Sequence, residues 1–188
     1  MKKLILAVMI LSGHFPSYCQ HFIQGLGLSV MTTRGSGFPA IVTGGITYSP
    51  RFIVKELENG SLTIGLPLSL GLSYSPDTRS NFASASALIN LPLVFNYNYG
   101  SGSTRHNASR FGFFAGAGWG YHAADYAGND NNEYAVNREL EAVGPLCNVG
   151  VRVRVGRHSH NMEWKASYMK GVNTGSADIF GFAAIFNF

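Results

Sequence analysis

The last eleven residues of the chain, DIFGFAAIFNF (178–188), alternate between two kinds of side chain. Every second residue counted back from the C-terminus is apolar, and four of these five are aromatic: Phe188, Phe186, Ala184, Phe182 and Phe180. Alternation with a period of two is typical of a β-strand that has two different faces. A soluble protein seldom ends on an aromatic face, because chain ends are normally solvated. The fold therefore depends on whether this face contacts membrane lipid or the interior of a soluble protein.

Seven further segments show the same alternation, separated by stretches rich in turn-forming residues. We predict strands at about 22–31, 40–54, 61–74, 82–99, 111–122, 143–155, 159–170 and 179–188. After Gln20 the sequence has no second apolar run long enough for a membrane helix, and no convincing helical periodicity. Glycine and aromatic residues are plentiful and charged residues are few, which favours β-structure. The pattern predicts an all-β chain with an even number of strands.

The two faces of these strands indicate which solvent each one meets. In the segment 61–74, one face carries leucine, isoleucine and tyrosine, and the other carries serine, threonine, glycine and proline. A strand face in water is normally charged, whereas the interior of a narrow barrel requires small side chains. Tyrosines stand near the apolar strand ends, where aromatic girdles of membrane barrels lie: Tyr48, Tyr74, Tyr97, Tyr121 and Tyr168.

We therefore predict an all-β fold, an eight-stranded antiparallel up-and-down transmembrane β-barrel. Strands of about 9–11 residues cross a bilayer when they are tilted. The aromatic face of 178–188 then contacts lipid, and the last strand closes against the first so that no edge remains in the membrane. The soluble alternative is a secreted lipocalin-like binding protein, in which the apolar face would point inward.

The N-terminus has the pattern of a secretory signal peptide. Residues 1–3 are basic, residues 4–11 are apolar, and residues 17–19 fit a cleavage site before Gln20. We assign residues 1–19 to a cleaved signal peptide and residues 20–188 to the barrel domain. Lipidation at Cys19 is the alternative, but the three residues before it form a poor lipobox.

The mature chain would keep one cysteine, Cys147, and would form no internal disulfide. The full chain has a net charge of +4, and removal of Lys2 and Lys3 leaves +2. No long basic run is present, so nucleic acid is not an expected partner.

The ending AAIFNF (183–188) and the segments NLPLVFNYNYGSGS (90–103) and FGFFAGAGWGYH (111–122) combine with the signal peptide and the strand pattern. Together they resemble the small outer-membrane β-barrel proteins of Gram-negative bacteria, the OmpA/OmpW-like class, over essentially the whole mature chain. The resemblance implies an outer-membrane location and assembly by the barrel-assembly machinery. In that class the machinery recognises the final aromatic residue, so Phe188 and Phe186 are the implied assembly signal. The resemblance implies no catalytic residue and no cofactor.

The orientation follows from the even number of strands. With both termini in the periplasm, the extracellular loops fall near 32–39, 75–81, 123–139 and 171–178, and the longest of them lies outside the cell, as in other barrels. The segment SGSTRHNASR (101–110) is long for a periplasmic turn.

A lipid-modifying enzyme is the sharper functional alternative. His122 lies at the outer end of one predicted strand, with Ser73 and Ser75 at the outer end of another and Asp125 just above, and these residue types can form a nucleophile and a base. However, every barrel carries polar residues at this level, and the two strands are not neighbours. We therefore expect no enzymatic activity.

Three other patterns resemble ligand sites. The glycines of GFFAGAGWG (112–120) lie inside an alternating strand with no helix after it, so close packing explains them better than a phosphate loop. His158-x-His160 has no carboxylate or cysteine at metal-ligand spacing. The polar residues between 125 and 133 lack the ordered register of a calcium loop. We predict no metal site and no cofactor.

The lumen is predicted from the register of two strands. A hairpin loop of two or four residues at 156–159 sets Arg152 opposite Glu163. A loop of three residues is excluded, because it would pair lipid-facing with lumen-facing residues. These two residues should form an ion pair in the lumen, with Arg154 and Lys165 diagonal to it. We expect this lumen charge cluster to fill the interior rather than bind a ligand. An eight-stranded barrel is too narrow for an open pore. We therefore predict a structural role or a surface-interaction role through the extracellular loops. We also predict that the chain is a monomer in membrane lipid.

Overall fold

The computed structural model describes residues 22–35, 40–76, 83–104, 107, 109–129, 135–156, 160–173 and 177–188. For residues 73–76, 83–86, 126–129 and 135–139 it describes the backbone alone. Throughout these ranges every regular element is a β-strand. Among the described residues there is no helix with the length and apolar character needed to cross a membrane.

The sheet consists of eleven strand segments. In chain order they are β1 (Phe22–Ile23), β2 (Gly25–Arg34), β3 (Ile41–Tyr48), β4 (Arg51–Glu56), β5 (Gly60–Gly65), β6 (Leu68–Pro76), β7 (Ala83–Gly100), β8 (Phe111–Asn129), β9 (Ala135–Arg154), β10 (Asn161–Lys170) and β11 (Asp178–Asn187).

The eleven segments form eight barrel strands, because three strands are each interrupted once. The first strand is β1 with β2, the second β3 with β4, and the third β5 with β6. Pro50 lies in the second interruption and Pro67 in the third. A proline has no backbone N–H to donate to the ladder, which accounts for the breaks at these two points.

The barrel is closed and antiparallel, as the sequence predicts. Each strand pairs with its neighbour in the chain, and β11 pairs with β2 from Asp178↔Arg34 to Asn187↔Gly25. The backbone N–H of Phe188 also donates a 2.9 Å hydrogen bond to the carbonyl oxygen of Gln24. We call the end of the barrel that holds Phe22 and Phe188 the terminal end, and the other the distal end.

The alternation of faces is confirmed. Large apolar side chains cover the outside, with Leu72 75% exposed and Phe111 65% exposed, whereas inward-facing positions such as Thr63 and Asn98 are buried. Aromatic rings form a belt at the terminal end, where Phe22 and Phe52 lie 4.6 Å apart between ring centroids. The outer surface is therefore the apolar one.

The register of β9 and β10 is also confirmed, with Arg152 opposite Glu163 and Val151 opposite Trp164. The predicted loop at 123–139 is largely wrong. The strands β8 and β9 pair continuously from Ala123↔Glu141 to Asn129↔Ala135. Ladder hydrogen bonds form between backbone groups, so a hairpin can continue beyond its apolar part, and the apolar pattern alone underestimated the length of these strands.

Candidate functional site in the barrel lumen

The terminal half of the lumen contains an ion-pair network centred on Glu163. The Oε2 atom of Glu163 accepts hydrogen bonds of 2.7 Å from Arg51 Nη1 and 2.7 Å from Arg152 Nε. A third bond of 3.2 Å comes from Asn187 Nδ2. The three charged residues are between 1% and 4% exposed. We call Arg51, Arg152, Glu163 and Asn187 the Glu163 cluster.

The strand register explains why these side chains meet. Arg152 and Glu163 are direct cross-strand partners on inward-facing positions of β9 and β10. Asn187 faces inward at the end of β11, where it pairs with Asn161 at the start of β10. Arg51 comes from farther round the barrel, at the start of β4 and just after the break at Pro50. The network therefore connects the two halves of the chain across the lumen.

Arg152 has three further partners. Its Nη1 atom donates to Asn98 Oδ1 at 2.8 Å and to the carbonyl oxygen of Gly102 at 3.3 Å. Its guanidinium carbon lies 4.3 Å from the centroid of the Phe114 ring. Paired, hydrogen-bonded and stacked arginine is the form in which a buried guanidinium is tolerated.

The terminal end of the lumen is covered by residues 100–104, which we call the plug turn. Ser101 is 2% exposed and Ser103 is fully buried. The Ser61 hydroxyl donates a 2.6 Å hydrogen bond to the carbonyl oxygen of Ser103. Gly102 has a φ of 70°, and a Cβ built there would lie 3.1 Å from Arg152 Cδ. The segment 101–110 that is long for a turn thus begins by folding into the barrel.

The other two residues of the predicted charge cluster take different positions. Lys165 is partly buried and lines two small cavities, and no described residue forms a hydrogen bond or ion pair with its ammonium group. Arg154 is partly buried near the terminal end, where its backbone N–H donates to the carbonyl oxygen of Arg110 at 2.9 Å. The structure therefore brings together Arg152 and Glu163 but adds Arg51 as the second cation.

The distal half of the lumen is filled by a buried histidine with its hydrogen-bond partners and by apolar side chains. His122 is fully buried, and its Nε2 lies 2.9 Å from Thr33 Oγ1 and its Nδ1 3.4 Å from Asn90 Oδ1. Thr33 and His122 belong to strands on opposite sides of the barrel, so their hydrogen bond crosses the lumen. Around this level lies an apolar cluster of buried residues, formed by Val94, Leu140, Ala142, Leu146, Met169, Ala177 and Ile179.

The residues considered for lipid chemistry do not form a described active site. Both ring nitrogens of His122 face Thr33 and Asn90 inside the lumen, whereas Asp125 is exposed. The side chains of Ser73 and Ser75 lie outside the described part of the structure.

The other candidate ligand sites are only partly described. The described residues contain no group of three or more His, Cys, Asp or Glu side chains that could hold a metal ion. His158 and residues 130–133 lie outside the described ranges. His160 packs its ring on Phe186, with centroids 5.6 Å apart. The glycines of 112–120 lie within β8, and a Cβ at Gly120 would stand 2.5 Å from Met169 Sδ, so side-chain packing explains that glycine.

The two residues of the implied assembly signal lie on the outer face at the terminal end. Phe186 is 39% exposed and Phe188 is 52% exposed, and their ring centroids are 6.5 Å apart. Between them Asn187 points inward and is 1% exposed.

The sequence analysis did not include Arg51, Asn98 and Asn187 in the predicted lumen cluster. A signal for each was present, because each alternates with an outward-facing aromatic neighbour. In FNYNY (95–99) the asparagines occupy the positions between the rings. The alternation does not show which inward-facing residues contact each other.

No protein-family model matches the chain, and no curated protein matches it. Solved structures do match it in fold. Neisserial surface protein A (NspA) is similar with a TM-score of 0.59 and 12% identity, over 88% of this chain and 95% of that one. Ail, the attachment invasion locus protein of Yersinia pestis, has a TM-score of 0.55 and 9% identity, over 90% of this chain and 99% of that one.

The outer membrane protein OprG from Pseudomonas aeruginosa is similar with a TM-score of 0.53 and 10% identity, over 89% of this chain and 94% of that one. At these identities the similarity establishes the fold alone. The chain has the closed eight-stranded barrel fold of small outer-membrane proteins.

Proposed function

We propose that this chain is a non-enzymatic integral protein of the outer membrane, with a structural role or a surface-interaction role through its extracellular loops. The observation that carries the proposal is the combination of an apolar exterior with a lumen that is cross-linked from side to side. The exterior carries large apolar side chains, which are the side chains that contact lipid in membrane barrels. The lumen is filled by hydrogen-bonded and ion-paired side chains, as in the Glu163 cluster and the Thr33–His122 pair.

The filled lumen argues against transport and against a substrate pocket inside the barrel. Two cavities among the described lumen residues each have a volume of about 20 Å³. That volume suits one or two water molecules and is far below the roughly 300–1,000 Å³ of pockets for small-molecule ligands. Function is therefore expected at the outer surface or the distal loops.

Export and assembly complete the proposal. The chain would be secreted through the signal peptide of residues 1–19, folded by the barrel-assembly machinery and held as a monomer in outer-membrane lipid. Both termini would lie in the periplasm, so the distal hairpin between β8 and β9 would be extracellular. This hairpin carries the longest strands of the described structure.

Cell fractionation tests the proposal. We expect the mature chain to sediment with outer membranes, to require detergent for extraction, and to migrate on a gel at different positions with and without heating. A short epitope inserted between residues 130 and 134 should be accessible on intact cells, whereas the same epitope at residue 106 should not be. Solubility without detergent would favour the lipocalin-like alternative, and a change in lipid A between cells with and without the gene would favour the enzyme.

A further inference from the structure

The charges of the terminal half of the lumen do not balance. Glu163 is the only buried acidic side chain among the described residues. Arg51 and Arg152 both pair with it, and the partly buried Lys165 adds a third positive charge. An uncompensated charge in a closed interior is strongly unfavourable, so this excess of positive charge must be offset by further negative charge, by bound water or by loss of the Lys165 proton.

Donors and acceptors without a hydrogen-bond partner line one small cavity at this point. The cavity is lined by Arg51, Asn96, Asn148, Arg152, Glu163 and Lys165, among others. The Nε and Nη2 atoms of Arg51 are buried and have no hydrogen-bond partner in the described structure. Two acceptors on the same cavity, Asn96 Oδ1 and Asn148 Oδ1, are also buried without a partner. The Lys165 ammonium is only partly buried, and no described residue forms a hydrogen bond with it. Buried donors of a charged group are rarely left without an acceptor, so the two Arg51 nitrogens form the binding surface of the cavity, with the partly buried Lys165 beside them.

We propose that this cavity binds a small monovalent anion of halide size between Arg51 and Lys165. A cavity of about 20 Å³ has room for one small ion and is too small for organic anions. A chloride ion would accept hydrogen bonds from both cations and lower the excess positive charge of the lumen. The cavity lies among the buried side chains of the lumen, so the anion is a component of the folded barrel and not a transported substrate.

Anion binding at this site should make the thermal stability of the barrel depend on the halide concentration. An anion that binds the folded state alone stabilises it in proportion to the logarithm of its concentration. For the mature chain folded in detergent, we expect the melting temperature to rise by roughly 3 °C for each tenfold increase in sodium chloride above half-saturation, at constant ionic strength balanced with sodium gluconate. Gluconate is too large for the cavity.

Two variants and a control separate this effect from general salt effects. Asn148 lines the cavity, and its Oδ1 is buried without a partner. Asn148→Asp supplies a fixed carboxylate of the same shape, so it should remain folded and lose the chloride dependence. Lys165→Met removes one cation and should weaken the dependence. Lys170→Met, which removes an exposed lysine outside the lumen, should respond as the unchanged protein does.

Crystals of the barrel grown in sodium bromide provide the direct test. An anomalous bromine peak between Arg51 and Lys165 is expected in the unchanged protein and should be absent in Asn148→Asp. If no such peak appears, or if all four proteins show the same chloride response, the cavity holds water only and the proposal is wrong.

Discussion

Asn187, the residue before the last, donates a 3.2 Å hydrogen bond to the carboxylate of Glu163. The oxygen that accepts it, Oε2, also accepts the bonds from Arg51 and Arg152. One atom therefore joins four strands of the barrel. Because β11 also pairs with β2, the strand that closes the barrel is tied to the charged network of the lumen.

Removal of the central carboxylate should destabilise the barrel. Glu163→Ala leaves two buried guanidinium groups without a carboxylate, and we expect the free energy of unfolding to fall by roughly 3–5 kcal/mol. Arg152→Ala introduced into that background should add little, because its partner is already missing. Urea unfolding of the four proteins of this double-mutant cycle, folded in lipid vesicles, measures both effects.

An exposed ion pair serves as the control for this cycle. Lys170 and Asp178 are 2.9 Å apart, with side chains 47% and 36% exposed. Exposed pairs of this kind contribute little to stability, so Lys170→Ala, which leaves the Tyr168–Asp178 hydrogen bond in place, should have a small effect. Small and additive effects of Glu163→Ala and Arg152→Ala would show instead that the lumen charges are solvated.

The plug turn can be tested with two glycines that share a backbone conformation. Gly102 has a φ of 70° and Gly156 a φ of 76°. A Cβ at Gly102 would lie 2.7 Å from Asn161 Nδ2, whereas a Cβ at Gly156 meets nothing within 4 Å. Both substitutions to alanine carry the strain of positive φ, but Gly102→Ala should destabilise by roughly 1–3 kcal/mol more, because it overpacks the lumen. Equal losses in thermal unfolding would mean that the plug turn does not pack on Asn161 and Arg152.

The parts of the fold that follow from a period of two could be predicted from the sequence. Alternation assigns each residue to the inner or outer face, and the hairpin at 156–159 then allows the register that pairs Arg152 with Glu163. Closure of β11 on β2 follows from the need to leave no edge in lipid. These predictions depend on local patterns and on one general constraint.

The rest depends on relationships between distant segments. Arg51 and Glu163 are 112 residues apart in the chain, and no local pattern states that their strands face each other at the same level. The inward course of the plug turn depends on hydrogen bonds from Ser61 and Arg152, which come from distant strands. A glycine- and serine-rich sequence predicts a turn but not its direction.

The hydrogen bond across the distal lumen should contribute measurably to stability. Thr33→Val keeps the shape of the side chain but removes the partner of His122 Nε2, and a buried group left unsatisfied costs about 1–3 kcal/mol. Thr32→Val on the outward face of the same strand is the matched control and should change little. The two variants are compared by thermal unfolding in the same detergent, and identical midpoints would contradict a structural role for the pair.

The processing of the N-terminus can be measured directly. We expect mass spectrometry of the mature protein to find Gln20 as the first residue, because the small residue at position 19 completes the cleavage site. A diacylglycerol group on Cys19 would identify the chain as a lipoprotein instead.

The last residue should matter for assembly more than for the stability of the finished barrel. Phe188 is half exposed on the outer face, and its backbone N–H bonds to Gln24 in any variant except proline. Phe188→Asp places a charge in the aromatic belt and removes the implied assembly signal, so we expect secretion without heat-modifiable barrel.

Two further variants distinguish the signal from the structure of this end. Phe188→Tyr keeps an aromatic ring at the interface and should assemble normally. Asn187→Ala keeps both phenylalanines but removes a bond to Glu163, so it should assemble and then unfold at lower urea concentration. If Phe188→Asp assembles as well as Phe188→Tyr, the final aromatic is not the assembly signal. If Asn187→Ala fails to assemble while Phe188→Asp succeeds, closure depends on the lumen network and not on the outer belt.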